Sequence, residues 1–462
     1  MAASRPSDYG AENVAPLSSG SVGESSLGAA AWSSGSARES AEGAGNAILG
    51  ALCILVFAAG LSTFWAPIWN ATVISGYEIV FALVYAILSR LSPGTVTPSK
   101  TNPIVHIAVA LWFASVTISL FASPYDMVRE GPGLLRYEQT AAHLAFFIAV
   151  RAFLGRYRVP VHWALLAIPA SCLAVAVLAA YLLLGLDPSD EGAGYRWFHD
   201  PPFNAHIRHT GYQVAAGIGA LAVYFASEGR VPWGRAALWP ALVALCTFVI
   251  WMGGRGAVFS VLAAVGLLAL ALWVIGAKSR GLWLAFASSV ALGLLLSEWL
   301  TVFDWNGVVD YMATRTSQAF ESQDLNQFGS GRIDIWRTSW ESIREHLLFG
   351  LGPNGYWFMP NRIYGVQPHS FVVQFLVEWG AIGALLFLGL LVYGFYCGFL
   401  EHVVRARGKL DVAALSAGTI IVVLTVHGLV DGTYYHPQPS LYLALGFAIW
   451  TLPRRSEAAP AP

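Results

Sequence analysis

Long apolar stretches decide the fold, and the clearest is FVVQFLVEWGAIGALLFLGLLVYGFYCGFL, residues 371–400, in which Glu378 is the one charged residue. A membrane hydrocarbon core about 30 Å thick takes roughly 20 apolar residues to span as a helix, so this stretch can cross it. The chain of 462 residues is 56% hydrophobic and 11% charged, whereas soluble domains average about 25% charged. The sequence therefore predicts a polytopic membrane protein.

Twelve candidate spans of this kind are found along the chain, which predicts an all-α fold with about twelve transmembrane helices. They lie near residues 47–69, 72–90, 104–122, 138–155, 162–186, 210–227, 236–253, 256–275, 281–300, 371–400, 411–430 and 437–452. Most junctions contain Pro, Gly or charged residues, but only Gly254 and Arg255 separate the seventh and eighth spans.

Basic residues set the predicted orientation. With a cytoplasmic N-terminus, fourteen of the 26 Lys and Arg residues lie in or beside cytoplasmic connections, and Arg5 and Arg38 bring the number to sixteen. The fourteen are Arg90, Lys100, Arg151, Arg156, Arg158, Arg230, Arg235, Lys278, Arg280, Arg405, Arg407, Lys409, Arg454 and Arg455. Because basic residues are enriched on the cytoplasmic side, both termini are predicted to be cytoplasmic.

This topology divides the chain into five predicted parts. They are a disordered cytoplasmic tail rich in Ser, Gly and Ala at 1–45, transmembrane helices 1–9 at 46–300, a large outward loop at 301–368, transmembrane helices 10–12 at 369–453, and a cytoplasmic tail at 454–462. Connections in compact bundles are mostly short, so a loop of 68 residues, 301–368, indicates a functional segment.

The outward loop contains a predicted amphipathic helix within SGRIDIWRTSWESIREHLLFG, residues 330–350. An apolar stripe, which would lie on the membrane or the bundle, is formed by Trp336, Trp340, Ile343 and Leu347. Charges on the far face, which can pair among themselves (Arg337 with Glu341, for example), are Arg337, Glu341, Arg344 and Glu345. Arg332 falls at the margin of the stripe and is the arginine able to face inward. The turn GLGPNGYWF at 350–358 is predicted to fold the chain back over the bundle.

Arg208 and Arg255 are predicted at outward helix ends, against the usual placement of basic residues. One reason for keeping them there is an anionic ligand, because guanidinium matches phosphate oxygens in a bidentate fork. The alternatives are that Arg255 snorkels while closing a helical hairpin, and that Arg208 and the flanking His206 and His209 are ordinary headgroup-level residues. Both arginines lie on the same face, so a shared anion site is geometrically possible.

His369 stands at the outer mouth of a span, after Pro368. It is a candidate general base, because the unperturbed pKa of imidazole lies near working pH. An interfacial histidine with no chemical task is the alternative. Competing outward histidines are His199, His206, His209, His346 and His436.

Several function classes find no support in the sequence. Lys plus Arg, 26, nearly balances Asp plus Glu, 27, which does not favour a nucleic-acid partner. No P-loop, HExxH or CxxC pattern indicates a nucleotide, a metal ion or another cofactor. Neither a disulfide framework nor a metal site is readable in the four cysteines, which lie far apart in apolar segments: Cys53, Cys172, Cys246 and Cys397.

One ordered set of residues has the pattern of a known family. The set comprises Arg255 in its short turn, Ser330, Gly331, Arg332 and Trp336 in the loop, Gly350, Gly352 and Pro353 in the following turn, and His369, Ser370 and Phe371 leading to Glu378, Gly380 and Gly383. It resembles the O-antigen ligase and polymerase family over roughly residues 200–400. Ser370 and Leu347 depart from it, because the family more often has Asn after this histidine and Pro after the loop histidine.

The resemblance implies a metal-independent, inverting glycosyltransferase of the bacterial inner membrane that uses no cofactor. Its donor would be a glycan on undecaprenyl diphosphate, and its acceptor would be lipid A-core or a growing glycan. Membrane lipid would surround the protein. The loop at 301–368 would be the periplasmic catalytic loop. Arg208, Arg255 and Arg332 would bind the diphosphate, and His369 would activate the acceptor.

Related functions remain open at this point. A repeat-unit polymerase and a protein O-oligosaccharyltransferase share the mechanism and differ in the acceptor. A lipid-linked glycan flippase belongs to a different class and would also have many helices and outward arginines. A flippase should carry charges inside the bundle, whereas few ionisable residues lie within the spans, Glu78, His143 and Glu378 among them.

Overall fold

The computed structural model describes an all-helical protein. The described residues are 24–62, 67–91, 103–129, 131–184, 207–226, 234–300, 317, 326, 331–363, 365, 367–406 and 410–452, without the side chains of 24–41, 67–70, 207–209 and 234–235. Within these ranges the regular elements are α-helices and short 3₁₀ turns, with no strand, which confirms the all-α prediction. All four cysteines are unpaired.

The α-helices of the described ranges follow the twelve predicted spans, and one more corresponds to the helix predicted within residues 330–350 of the outward loop. In chain order they are α1 Glu24–Leu61, α2 Pro67–Leu91, α3 Pro103–Ala122, α4 Pro132–Arg156, α5 His162–Leu184, α6 Ile207–Ala226, α7 Gly234–Trp251, α8 Arg255–Val274, α9 Arg280–Trp299, α10 Arg332–Glu345, α11 Phe371–His402, α12 Val412–Gly428 and α13 Pro437–Trp450. The close junction between α7 and α8 turns at Gly253, whose φ is 65°.

Membrane-spanning length is met by seven helical segments of the described chain. They belong to α1, α2, α3, α5, α8, α9 and α11. Three further apolar segments are shorter where their side chains are described, at Thr210–Ala226 in α6, Ala236–Trp251 in α7 and Val412–Gly428 in α12. Several apolar helices thus identify a membrane protein, while the number of twelve spans and the outward position of the loop stay predictions.

The N-terminal segment differs from the disordered tail predicted for 1–45. Helix α1 begins at Glu24, and its span-like part begins at Glu42. A helix that has been nucleated by an apolar span extends readily into residues such as Ala, Glu and Arg, which have high helix propensity. The first 23 residues lie outside the described ranges.

The bundle has buried central helices and peripheral helices with exposed apolar side chains. Every residue of α6 from 210 to 226 is buried, and α12 packs against it. In peripheral α3, by contrast, Ile104 is 69% and Phe121 74% exposed. Helices α6 and α12 are therefore largely enclosed by other helices, whereas peripheral helices such as α3 present apolar side chains at the surface.

One end of the bundle collects the polar groups discussed below. Here α3 ends and α4, α8, α11 and α13 begin, together with the connection between α12 and α13. Ser123, just after α3, donates to the carbonyl of Leu351 in the outward loop at 2.6 Å. We call this the loop end, defined by residues 119–129, 131–136, 346–363, 365, 367–371 and 429–437.

Candidate active site

A break in α11 receives the second half of the outward loop. Gly380 lies inside this helix with φ 66° and ψ −174°, a conformation restricted almost entirely to glycine. Around the break, the carbonyl of Glu378 accepts from the amide of Gly352 at 2.9 Å, and the amide of Ala381 donates to the carbonyl of Leu347 at 2.7 Å. The loop thus supplies backbone hydrogen bonds that the interrupted helix cannot make.

Two glycines permit this close backbone contact. A Cβ atom added at Gly380 would lie 2.3 Å from the carbonyl oxygen of Leu348, and one at Gly350, whose φ is 68°, would lie 2.5 Å from that of Val377. Both distances are far below van der Waals contact. The turn predicted to fold the chain back therefore docks on α11 through its main chain.

His369 lies just before α11 and faces the connection between α12 and α13. Its Nδ1 lies 3.0 Å from Oδ1 of Asp431 and 3.4 Å from the side-chain Nε2 of Gln367. Since an ionised carboxylate can only accept, Nδ1 donates its hydrogen to Asp431, and the lone pair of the neutral ring is on Nε2. The side chain is 23% exposed, and Nε2 has no hydrogen-bond partner within the described ranges. This nitrogen is oriented to act as a base.

The backbone at His369 is held in an unusual conformation. Its φ is 53°, in the left-handed region, which costs a non-glycine residue about 1–3 kcal/mol. On one side Trp336 Nε1 donates to the carbonyl of Pro368 at 2.9 Å. On the other side the amide of Gln374 donates to the carbonyl of Ser370 at 2.9 Å and starts α11. The neighbouring contacts, rather than the local preference, therefore set the ring position.

Asp431 is the buried acid of the pair. Its side chain is 5% exposed, and Oδ1 also accepts from the amide of Gly432 at 2.9 Å. Burial by itself raises the pKa of Asp431, but the hydrogen bond from His369 and the positive charges of His369, His427 and Arg332 hold the pKa well below its ordinary value. The carboxylate is therefore ionised at any pH at which an imidazole is neutral.

Arg332 begins α10 and faces this acid. Its Nη2 lies 3.9 Å from Oδ2 of Asp431, and its side chain is 19% exposed. Arg337 is 73% exposed and pairs with Asp334 at 3.3 Å, rather than with Glu341. The structure therefore places Arg332 inward and Arg337 outward, as their positions around the helix predict.

Two of the four members of the predicted apolar stripe of α10, Trp340 and Leu347, are not buried against the bundle. The buried face is formed by Ile335, Ser339 and Ile343, with Trp336 half-buried beside them. Trp340 is 48% and Leu347 51% exposed. The side of α10 that faces the bundle is formed by Ile335 and Ile343, which pack in one cluster with Val377 of α11. Trp340 instead lies under the guanidinium of Arg344, at 5.6 Å.

Arg255 starts a helix that packs on His427, a neighbour of the same acid. It is the first residue of α8 and is half-buried. A Cβ added at Gly256 would lie 2.8 Å from Nε2 of His427, so the start of α8 packs closely on that histidine. His427 is also one of the groups whose charge acts on Asp431. Arg255 is thus linked to the site through His427.

Arg208 is the second residue of α6, and its side chain lies outside the described part of the structure. Tyr212, one turn further along α6, packs edge-to-face on His427 with ring centroids 4.7 Å apart. The starts of α6 and α8 therefore converge on one histidine.

All three arginines lie in the first turn of a helix: Arg208 in α6, Arg255 in α8 and Arg332 in α10. The helix dipole makes this end positive, so a cation there is unfavourable unless an anion is present. Exposed backbone amides at such ends also bind phosphate oxygens. The arrangement is suited to an anionic ligand.

The competing histidines have other positions. The carbonyl of His346 accepts from the amide of Gly350 at 2.8 Å, and the ring of His436, just before α13, packs 5.6 Å from that of Tyr212. His199, His206 and the side chain of His209 lie outside the described ranges. Across the residues that are described, no group of three His, Cys, Asp or Glu side chains is arranged to hold a metal ion.

This set of residues has a counterpart in a known family. Residues 240–388 match the O-antigen ligase family model. The matched region contains Arg255, Arg332 and His369, and it confirms the resemblance to the O-antigen ligase and polymerase family. It supports a glycan-transferring enzyme that acts on lipid-linked substrates. No curated protein matches the chain.

Outside the region that matches the family model lie residues that the sequence does not single out. Asp431 stands in LVDGTYYHP, residues 429–437, where Asp-Gly is an ordinary turn signal. His427 lies in an apolar span, and Arg136 lies at the edge of another. The sequence signal that could have found these residues is that ionisable residues are rare in and beside spans. It indicates a functional role but not which residues contact each other.

Proposed function

We propose that the protein transfers a glycan from undecaprenyl diphosphate to an acceptor hydroxyl at the periplasmic face of the bacterial inner membrane. The observation that carries the proposal is the Asp431–His369 hydrogen bond of 3.0 Å with Arg332 beside the same carboxylate. A base and fixed cations at one site suit a reaction in which a hydroxyl loses a proton while a diphosphate leaves.

His369 is proposed as the base. Nε2 takes the proton of the acceptor hydroxyl while the hydroxyl oxygen attacks the sugar carbon from the face opposite the diphosphate, which inverts that carbon. The bond to the diphosphate oxygen breaks, and its electron pair leaves with the diphosphate. Asp431 holds the ring in the required tautomer and stabilises the imidazolium that forms. General-base catalysis of this kind contributes about 10²–10⁴-fold.

The arginines are proposed to stabilise the leaving group. Negative charge builds on the diphosphate as its bond to the sugar breaks, and fixed cations in a poorly hydrated site stabilise that charge. Arg208, Arg255 and Arg332 take this role, each at a helix start whose dipole adds to it. No metal ion or cofactor is required in this scheme.

The test is transfer by the purified protein with a lipid-linked donor. Arg255→Lys should lose most transfer, because a point charge cannot make the two-pronged contact of a guanidinium. The matched control is Arg337→Lys, at a 73% exposed position, which should retain transfer. Normal turnover of Arg255→Lys, or loss of wild-type turnover on chelation of divalent ions, would contradict the mechanism.

The face of the membrane is tested separately with reporter fusions. Alkaline phosphatase fused near Asn326 should be active, and a fusion after Pro462 should be inactive. The opposite result would place the outward loop in the cytoplasm and exclude a periplasmic reaction.

Acceptor choice is decided by the surface glycans of a deletion strain. Loss of long chains from lipid A-core with retention of lipid-linked polymer identifies a ligase, and single-repeat caps identify a polymerase. Loss of glycan from proteins identifies an O-oligosaccharyltransferase. Movement of the donor across vesicles without transfer identifies a flippase and rejects the proposal.

A further inference from the structure

Arg136 lies in the second turn of α4, at the loop end, and takes no part in the chemistry proposed above. It is 7% exposed. Nη1 donates to the carbonyl of Tyr435 at 2.6 Å, and Nη2 donates to that of Tyr434 at 2.7 Å. The guanidinium also lies 4.8 Å from the ring centroid of Tyr435. The buried guanidinium therefore hydrogen-bonds to two consecutive main-chain carbonyls, which cannot rotate away as side chains can.

These carbonyls belong to the turn that carries Asp431. The amide of Tyr435 donates to the carbonyl of Gly432 at 2.9 Å and closes the turn. At its start, Oδ1 of Asp431 accepts from the amide of Gly432 at 2.9 Å, which fixes the carboxylate relative to the turn backbone. A shift of the turn would therefore shift the carboxylate relative to His369.

Arg136 is also connected to the docked outward loop. The Tyr435 hydroxyl, on the ring that the guanidinium covers, donates to Oδ1 of Asn354 at 3.0 Å. Asn354 has φ 61° and follows Gly352, which hydrogen-bonds to the break in α11. The same arginine thus lies between α4, the Asp431 turn and the outward loop.

We propose that Arg136 is a positioning residue of the transfer site, which keeps the Asp431 carboxylate in hydrogen-bond contact with His369. The inference rests on the proposed function and deepens it. Arg136 acts through the backbone of Tyr434 and Tyr435. Lysine cannot replace it, because a single ammonium on a flexible stem does not span two carbonyls in one geometry.

The variant is Arg136→Lys, and its matched control lies on the same helix. Arg151 donates from Nη1 to Thr451 Oγ1 at 2.7 Å, at the other end of α13 from the Asp431 turn, and Arg151→Lys makes the same change of side chain there. Arg136→Lys should lower kcat by up to about 10²-fold, the size of loss expected for a displacement of about 1 Å, with little change in the donor KM. Arg151→Lys should leave kcat near that of the wild type.

A double-mutant cycle separates positioning from a general loss of folded protein. If Arg136 acts through Asp431, Arg136→Lys should cause little further loss in an Asp431→Asn background, because the groups form one unit. Fully additive losses would overturn the proposal. If Arg136→Lys does not accumulate in the membrane, Tyr435→Leu replaces it in the cycle, with the same non-additivity expected.

Hydrogen exchange supplies a readout that is independent of transfer. Peptides covering 429–437 should exchange faster in Arg136→Lys and not in Arg151→Lys. If exchange is faster in Arg136→Lys but the wild-type protein shows no transfer, the contact of Arg136 with the turn is supported and the proposed function is rejected. Unchanged exchange, or faster exchange with wild-type kcat, would reject the positioning role.

Discussion

Two carboxylate–histidine pairs of this protein have similar geometry and different surroundings. His143 Nδ1 lies 2.7 Å from Oε2 of Glu78, between α4 and α2, and His369 Nδ1 lies 3.0 Å from Oδ1 of Asp431. Nε2 of His143 is buried and has no partner among the described atoms. The side chain of His369 is 23% exposed, with Nε2 available to a ligand.

The charges around the two carboxylates differ as well. Asp431 interacts with Arg332 and His427 in addition to its paired histidine. Near Glu78 the same two helices are joined by apolar contacts, such as the edge-to-face pair of Phe81 and Phe146 at 5.5 Å. A hydrogen-bonded carboxylate and histidine therefore do not make a site on their own. Access to the free nitrogen and a neighbouring cation are also needed.

The largest expected effect separates the two histidines. His369→Ala should lower turnover by about 10²–10⁴-fold while donor binding is kept, because a general base is lost. His143→Ala should leave turnover per folded molecule near normal but reduce thermal stability, because Glu78 is left buried and unpaired. Turnover of purified proteins and melting in detergent measure both effects. Equal loss of turnover in the two variants would remove the distinction.

The second effect tests the neighbouring cation. Arg332→Ala should reduce transfer by about 10²–10³-fold, the range seen when one charge-stabilising donor is removed from a transition state. Arg337→Ala is the control, since Arg337 lies on the same helix and is 73% exposed. Membrane levels of both variants should equal those of the wild type. Similar damage by the two changes would invalidate the assigned helical face.

The third effect tests whether the Asp431–His369 pair depends on docking of the outward loop on α11. Gly380→Ala introduces a Cβ 2.3 Å from a loop carbonyl at a positive φ, so the loop should detach and transfer should fall by about 10²-fold. Gly389→Ala, on the same helix with nothing within 4 Å, is the matched control. Limited proteolysis should cut the outward loop faster in Gly380→Ala only. A resistant loop in that variant would contradict the docking role.

The smallest effect concerns pH. Transfer should decrease on acidification, because an imidazolium cannot accept the proton of the acceptor hydroxyl. Asp431 should add no limb in this range, because its depressed pKa keeps it ionised, and the stability it contributes is lost only as the pH falls through that low pKa. A rate that does not fall on acidification would exclude His369 as the base.

The helices and one side of the candidate site could be predicted locally. Apolar length located the segments that become α1 to α9 and α11 to α13, and angular position separated Arg332 from Arg337. The orientation of α10 was predicted less well, because its buried face depends on packing against Val377 rather than on hydrophobicity alone. The contact between the guanidinium of Arg344 and the exposed ring of Trp340 was likewise not predicted from the sequence.

The sequence by itself determined that the protein has a helical membrane fold with a long connecting loop and an ordered set containing Arg255, Arg332 and His369. These features follow from local chain length, apolar content and motif order. Only the tertiary structure decided that Asp431 is the partner of His369 and that Arg136 holds its turn. Those contacts join groups on different helices, so their distances are set by packing and not by spacing along the chain.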